Sequence, residues 1–99
     1  MIKKQYVKSR NVTKVTFEHP VGVEADAIEL ISDVHDWRPV PFDRLKNGKW
    51  KLVQEFAPGT VVQFRYRISH DGSVSYWNDD DADGVAPNDQ GTDNSILRC

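Results

Sequence analysis

A chain of 99 residues with 38% hydrophobic and 10% aromatic side chains has the makings of one small folded domain and is too apolar to be disordered. Its net charge of −2 is the wrong balance for a nucleic-acid binder and gives an anionic membrane nothing to attract. The single cysteine, Cys99, excludes an internal disulfide, and Met1 to Lys8 has the charge but not the apolar run of a signal peptide, so the expected setting is the cytoplasm.

Taken in chain order, residues 1–11 are basic and polar and are expected to form a loosely attached arm ahead of a single domain over residues 12–99. From Val12 to Glu18 the set Thr13, Val15, Phe17 alternates with Lys14, Thr16, Glu18, the period of a half-buried strand, and His19-Pro20 stops it because proline cannot donate to a ladder. Ala27 to Ser32 is a second strand, with Ile28 and Leu30 on one face and Ile31 on the other. Asp33 to Pro41 carries two prolines and reads as a loop with Trp37 standing in it.

Asn47-Gly48 favours a two-residue hairpin turn of the primed type, joining a short strand at Phe42 to Leu45 to a longer one at Lys49 to Phe56. On the longer strand Trp50, Leu52 and Phe56 share a face with Gln54, which needs hydrogen-bond partners if it is buried. Pro58-Gly59 makes the next turn. Val62, Phe64, Tyr66 and Ile68 then alternate with Val61, Gln63, Arg65 and Arg67, so one strand offers both a core face and a polar face with two guanidinium groups along it. Asp71-Gly72 turns the chain back into Ser73 to Trp77, which ends in the two aromatics Tyr76 and Trp77. Asp79 to Gln90 is an acidic stretch without periodicity, and Asn94 to Arg98 is a last short strand. About seven short strands with turn signals between them, and no helical period, indicate an all-β sandwich of the immunoglobulin-like kind.

Two chemical patterns are incomplete. Asp79, Asp81, Asp83 and Gly84 repeat the first half of a calcium loop, but Pro87 and Gln90 break the second half, which leaves a solvated acidic loop as the expectation. His19, His35 and His70 are far apart and lack zinc-ligand spacing, and the consecutive residues Ser69, His70 and Asp71 cannot line up as a catalytic triad. No cofactor and no catalysis are expected.

The series Asp36-Trp37, Pro41-Phe42, Asn47-Gly48-Lys49-Trp50, Pro58-Gly59, Gln63-Phe64-Arg65-Tyr66, Asp71-Gly72 and Gly91-Thr92-Asp93-Asn94-Ser95 resembles the early-set domain of isoamylases and glycogen-branching enzymes. It is similar too to the glycogen-binding domain of the AMP-activated kinase β subunit, both grouped as carbohydrate-binding module family 48. The resemblance implies an early-set sandwich that binds α-1,4-linked glucan, glycogen or starch-like, alone or with a glucan-metabolising enzyme. Its sugar contacts fall on Trp37, Arg65, Tyr76 or Trp77, and Asn94. Only one of Tyr76 and Trp77 is expected to face the sugar, because neighbours on a strand point to opposite faces. An alternative is a protein-interaction domain with the same sandwich and a degenerate sugar site, favoured by Val34 and His35 standing where the family has an aromatic residue and an asparagine. The residues themselves also permit a bland assignment: Arg65 and Arg67 as a solvated strand face, Asn94 as a turn residue, and Trp50 as core.

Overall fold

The computed structural model describes residues 1–20, 22 and 24–99, and what alternates in the sequence alternates in burial. Strand β2, Val12–His19, buries every second residue, and so do β3, Ala27–Ser32, and the greater part of β7, Val61–His70. The remaining strands are β1 (Ile2–Val7), β4 (Val40–Pro41), β5 (Asp43–Arg44), β6 (Trp50–Phe56), β8 (Ser73–Trp77), β9 (Gly84–Pro87) and β10 (Asp93–Arg98). The non-β element is one short 3-10 turn at Asp33–His35. All pairings are antiparallel. They build a four-stranded sheet in the order β1-β2-β6-β5 and a six-stranded sheet in the order β4-β3-β7-β10-β9, with β8 also on β7. The fold is an all-β, immunoglobulin-like sandwich.

The two inner faces meet in one core. Val15 and Phe17 from β2 and Trp50, Leu52 and Phe56 from β6 face Ile28, Leu30, Val62, Phe64, Tyr66, Ile68 and Leu97 of the other sheet. Its centre is aromatic: Phe17 lies edge-on to Phe64 at 5.5 Å and His19 edge-on to Tyr66 at 4.4 Å, the T-shaped geometry that ring quadrupoles favour. Trp50 is buried, as its register with Leu52 implies, and the Arg44 guanidinium covers its ring at 5.5 Å. Gln54 is half-buried and satisfied, its Oε1 3.2 Å from His35 Nε2 and its Nε2 donating to the Val53 carbonyl.

Three elements depart from the sequence expectation. Residues 1–11 are not a loose arm: β1 pairs along its whole length with β2, from Ile2 opposite Phe17 to Val7 opposite Val12. Its lysines hide it from a periodicity argument, because an edge strand is kept polar where a neighbour must not add on. The acidic stretch contains β9, paired with β10 from Gly84 opposite Ile96 to Pro87 opposite Asp93. The Asn47-Gly48 hairpin has a three-residue loop. Gly48 N–H donates to the Leu45 carbonyl and Leu45 N–H to the Lys49 carbonyl, and only Gly48 has a positive φ, of 89°. That is a type I turn followed by a glycine bulge, the next most common hairpin solution after the primed two-residue turns. The Asp71-Gly72 turn, in contrast, is the expected tight hairpin turn, and its φ values of 49° and 77° make it one of the primed type.

One topological feature positions the site. Along one edge β7 pairs with β3 from Phe64 to Ser69, while its other edge is shared, by β10 from Val61 to Phe64 and by β8 from Tyr66 to His70. Arg65 sits where the edge changes partner.

Candidate functional site

Because Val62, Phe64 and Tyr66 point into the core, Gln63, Arg65 and Arg67 stand on the outer face of the six-stranded sheet. Strand register then separates the two aromatics of β8. Tyr76 lies opposite Arg67 and joins the outer face, whereas Trp77 lies opposite Tyr66 and turns the other way. The polar face of β7 is itself divided. Arg67 Nη1 meets its cross-strand neighbour Glu29 at 3.1 Å, an ordinary ion pair, but Arg65 has Ile31 opposite and no carboxylate partner among the described residues. Its guanidinium lies 5.3 Å from the Tyr76 ring centroid, Nη2 donates to the Tyr76 carbonyl at 3.4 Å, and Nη1 reaches Thr92 Oγ1 at 3.5 Å. Nε is buried and has no partner among the described residues.

Trp37 reaches this face from the loop after β3. The chain leaves Ser32 through the 3-10 turn and passes Asp36 at φ 54° and Trp37 at φ 61°, the left-handed region that bulky residues rarely enter. The conformation is held by Trp37 N–H donating to the Ser32 carbonyl at 2.7 Å, and Asp33 Oδ1 ties the loop to β7 by accepting the Gln63 N–H at 3.0 Å. Such backbone strain costs about 1–3 kcal/mol. Here it carries an indole that remains 43% exposed.

The far wall is the β9–β10 loop, built around Asn88. Asn88 Oδ1 accepts from the backbone N–H of Gln90 and of Thr92, and its Nδ2 donates to Asn94 Oδ1 at 3.1 Å. Asn94 in turn donates to Gln63 Oε1 at 3.3 Å and is buried. Asn94 thus lines the groove with its amide already bonded to Gln63 and Asn88, whose positions are set by these bonds.

Together these elements enclose a groove of about 610 Å³ lined by Ile31, Trp37, Gln63, Arg65, Tyr76, Pro87, Asn88, Asp89, Gln90 and Asn94. Four of the five expected residues, Trp37, Arg65, Tyr76 and Asn94, meet here from four separate stretches of chain. Trp77 does not. It lines a smaller depression of about 310 Å³ with Met1, His19, Tyr66 and Asp79 on the other side of β8. Gln63, Asn88, Asp89 and Gln90 were not anticipated. Gln63 could have been found from its place two residues before Arg65 on the polar face, but nothing in the acidic stretch signals that β9 folds back to bring residues 88–90 against it.

The acidic stretch is fastened down where solvated carboxylates were expected. Asp79 accepts the Tyr66 hydroxyl at 2.6 Å and the Asp81 N–H at 2.8 Å; burial pushes its carboxyl up, but these bonds and the amino-terminal ammonium outweigh that and hold it below the usual range. Asp83 accepts Arg98 N–H at 2.7 Å and Lys4 Nζ at 2.9 Å, which also lower it. Burial, with help from Asp79, raises the Tyr66 hydroxyl. Among the described residues Asp26, His70 and Asp71 at the hairpin tip offer metal-ligand atoms within 4.8 Å of one another, although the two carboxylates are exposed and a protonated His70 already has Glu24 and Asp71 as partners. No helix of the structure is long and apolar enough to cross a membrane. A scan against protein-family models gives no match for this chain, and a search of curated proteins gives none.

Proposed function

We propose that this domain binds an α-1,4-linked glucan, glycogen or starch-like, in the outer groove of the six-stranded sheet, without catalysis. The observation that carries the proposal is the convergence of two exposed aromatic rings, Trp37 and Tyr76, with polar side chains between them. A sugar ring has an apolar C–H face that packs on an aromatic plane, and hydroxyls around its rim that need a few oriented donors and acceptors. The Nη protons that Arg65 has left over, the amides of Gln63 and Gln90, and the Asp89 carboxylate supply both kinds. The likeness to carbohydrate-binding module family 48 supports the same ligand. We place the domain in the cytoplasm, alone or beside a glucan-metabolising enzyme.

The competing proposal, a protein-interaction domain, draws support from Asn94, whose amide is spent on Asn88 and Gln63. Electrophoresis of the native protein through a gel containing glycogen decides between them. Retardation that soluble malto-oligosaccharide relieves is the expected result. Unretarded migration, with no heat on titration with maltoheptaose, would refute glucan binding and leave the interaction domain.

A further inference from the structure

Strand β8 differs from every other sheet edge. Its five residues are all exposed, and among the described residues it pairs with β7 alone. The other edges carry the devices that stop strands from adding on: Lys3 and Lys4 on β1, only two residues in β4 and in β5, Pro41 in β4, and Pro87 in β9. Ser73-Val74-Ser75-Tyr76-Trp77 has no charge and no proline.

The backbone of β8 is also set out for a partner. The two-residue loop at Asp71-Gly72 makes His70 and Ser73 the closing pair that exchanges hydrogen bonds, so Ser75 and Trp77 bond back to β7 as well. Val74 and Tyr76 therefore direct their N–H and C=O groups away from β7. Of these four groups, only the Tyr76 carbonyl meets a partner among the described residues, the Arg65 guanidinium at 3.4 Å.

We propose that β8 is a dimerisation edge: two copies of the chain pair their β8 strands antiparallel about a two-fold axis at Ser75, making one continuous sheet from two. In this register Val74 faces the partner's Tyr76 and Tyr76 faces the partner's Val74. All the outward N–H and C=O groups of both strands then find partners in four hydrogen bonds, and each aromatic gains a β-branched neighbour, a favourable cross-strand pair. A self-complementary strand suits a second copy because a two-fold axis uses the same patch twice. The pair is short and buries far less than the roughly 800 Å² per partner of a standard interface, so dissociation is expected between about 10 μM and 1 mM. If the glucan proposal also holds, the partnered sheet sets two grooves on one face, and binding to a polymer gains by avidity.

Sedimentation velocity from about 10 μM to 1 mM is expected to show a dimer fraction that rises with concentration. Val74→Pro removes two of the four donors and none of the bonds to β7, so it should shift dissociation at least tenfold. In a Cys99→Ser background, Ser75→Cys places two thiols opposite each other across the axis in a non-hydrogen-bonded pair, within disulfide reach. It should oxidise to a covalent dimer much faster than Val53→Cys, a control that is also exposed and lies on the other sheet. A monomer at every concentration overturns the proposal, as does an unchanged dimer fraction in folded Val74→Pro. If Val74→Pro fails to fold by circular dichroism, crosslinking of Ser75→Cys no faster than the control overturns it instead. None of these measurements involves glucan, so their failure leaves the proposed ligand standing.

Discussion

The two depressions on either side of β8 are built from the same kinds of residue and differ in what their polar groups are doing. Beside Trp77, Tyr66 donates to Asp79, Asp79 N–H donates to Ser95 Oγ, and Ser95 donates to Asn78 Oδ1, a chain of mutual bonds, while the buried His19 Nε2 has no partner among the described residues. Beside Tyr76, the bonds run between groove residues and leave capacity over: each Arg65 Nη makes one long bond, and Gln63, Asp89 and Gln90 line the opening. A closed network specifies the fold, whereas an open one bordered by aromatic rings can exchange its remaining capacity with a ligand. A surface aromatic alone does not tell them apart, since Tyr76 and Trp77 are 48% and 45% exposed.

The comparison breaks if the core side of the molecule proves as tolerant as the groove. Trp50→Ala should cost about 3–5 kcal/mol by denaturant midpoint, from lost packing and a cavity, and leave glucan affinity unchanged under conditions where the variant is folded. Trp37→Ala should remove most of the glucan binding and move the midpoint by no more than about 0.5 kcal/mol. Trp37→Gly relieves a positive φ of 61°, so its midpoint is expected at or above that of the parent chain while its glucan affinity is lost.

The next effect belongs to the closed side. Burial lowers His19 from 6.5 to about 4, assisted by the amino-terminal ammonium and opposed by Asp79. The unfolded chain therefore binds this proton more readily than the folded one, so the stabilisation is complete above pH 6.5 and is lost as pH falls toward 4. The loss amounts to roughly 3 kcal/mol, and His19→Phe should flatten the stability profile across that window. Asp79 and Asp83, whose carboxyls are lowered, add their own loss only below the usual carboxylate range.

Smaller effects sharpen the division within single elements. Tyr66→Phe removes one hydrogen bond to a charged acceptor and should cost about 1–3 kcal/mol without touching glucan affinity. Tyr76→Ala should weaken glucan binding and Trp77→Ala should not, by calorimetric titration of both with maltoheptaose. Arg67→Ala breaks a half-exposed pair with Glu29 and is expected to cost no more than about 1 kcal/mol, whereas Arg65→Ala should act on affinity with little change in stability.

The alternation in β2, β3 and β7 was legible because it is a local property: a residue's parity along a strand decides which side of a sheet it faces before any partner is known. That parity also puts Tyr76 and Trp77 on opposite faces, with Tyr76 beside Arg67, once the register with β7 is given. The hairpin turn at Asp71-Gly72 was legible for the same reason, as its positive φ values are a demand on two residues alone. What the amino-acid sequence determined by itself was therefore the class of fold, the core face of each long strand, and the presence of aromatic and guanidinium groups off that face. Only the tertiary structure decided that β1 and β9 exist, since edge strands with wet faces carry no period, and their residues become strands through the backbone bonds of a neighbour far away in sequence. Only it decided, too, that Asn94 is bonded to Asn88 and Gln63, and that Asn88 and Gln90 close the groove opposite Trp37, because those arrangements depend on distances between chain segments that no local pattern encodes.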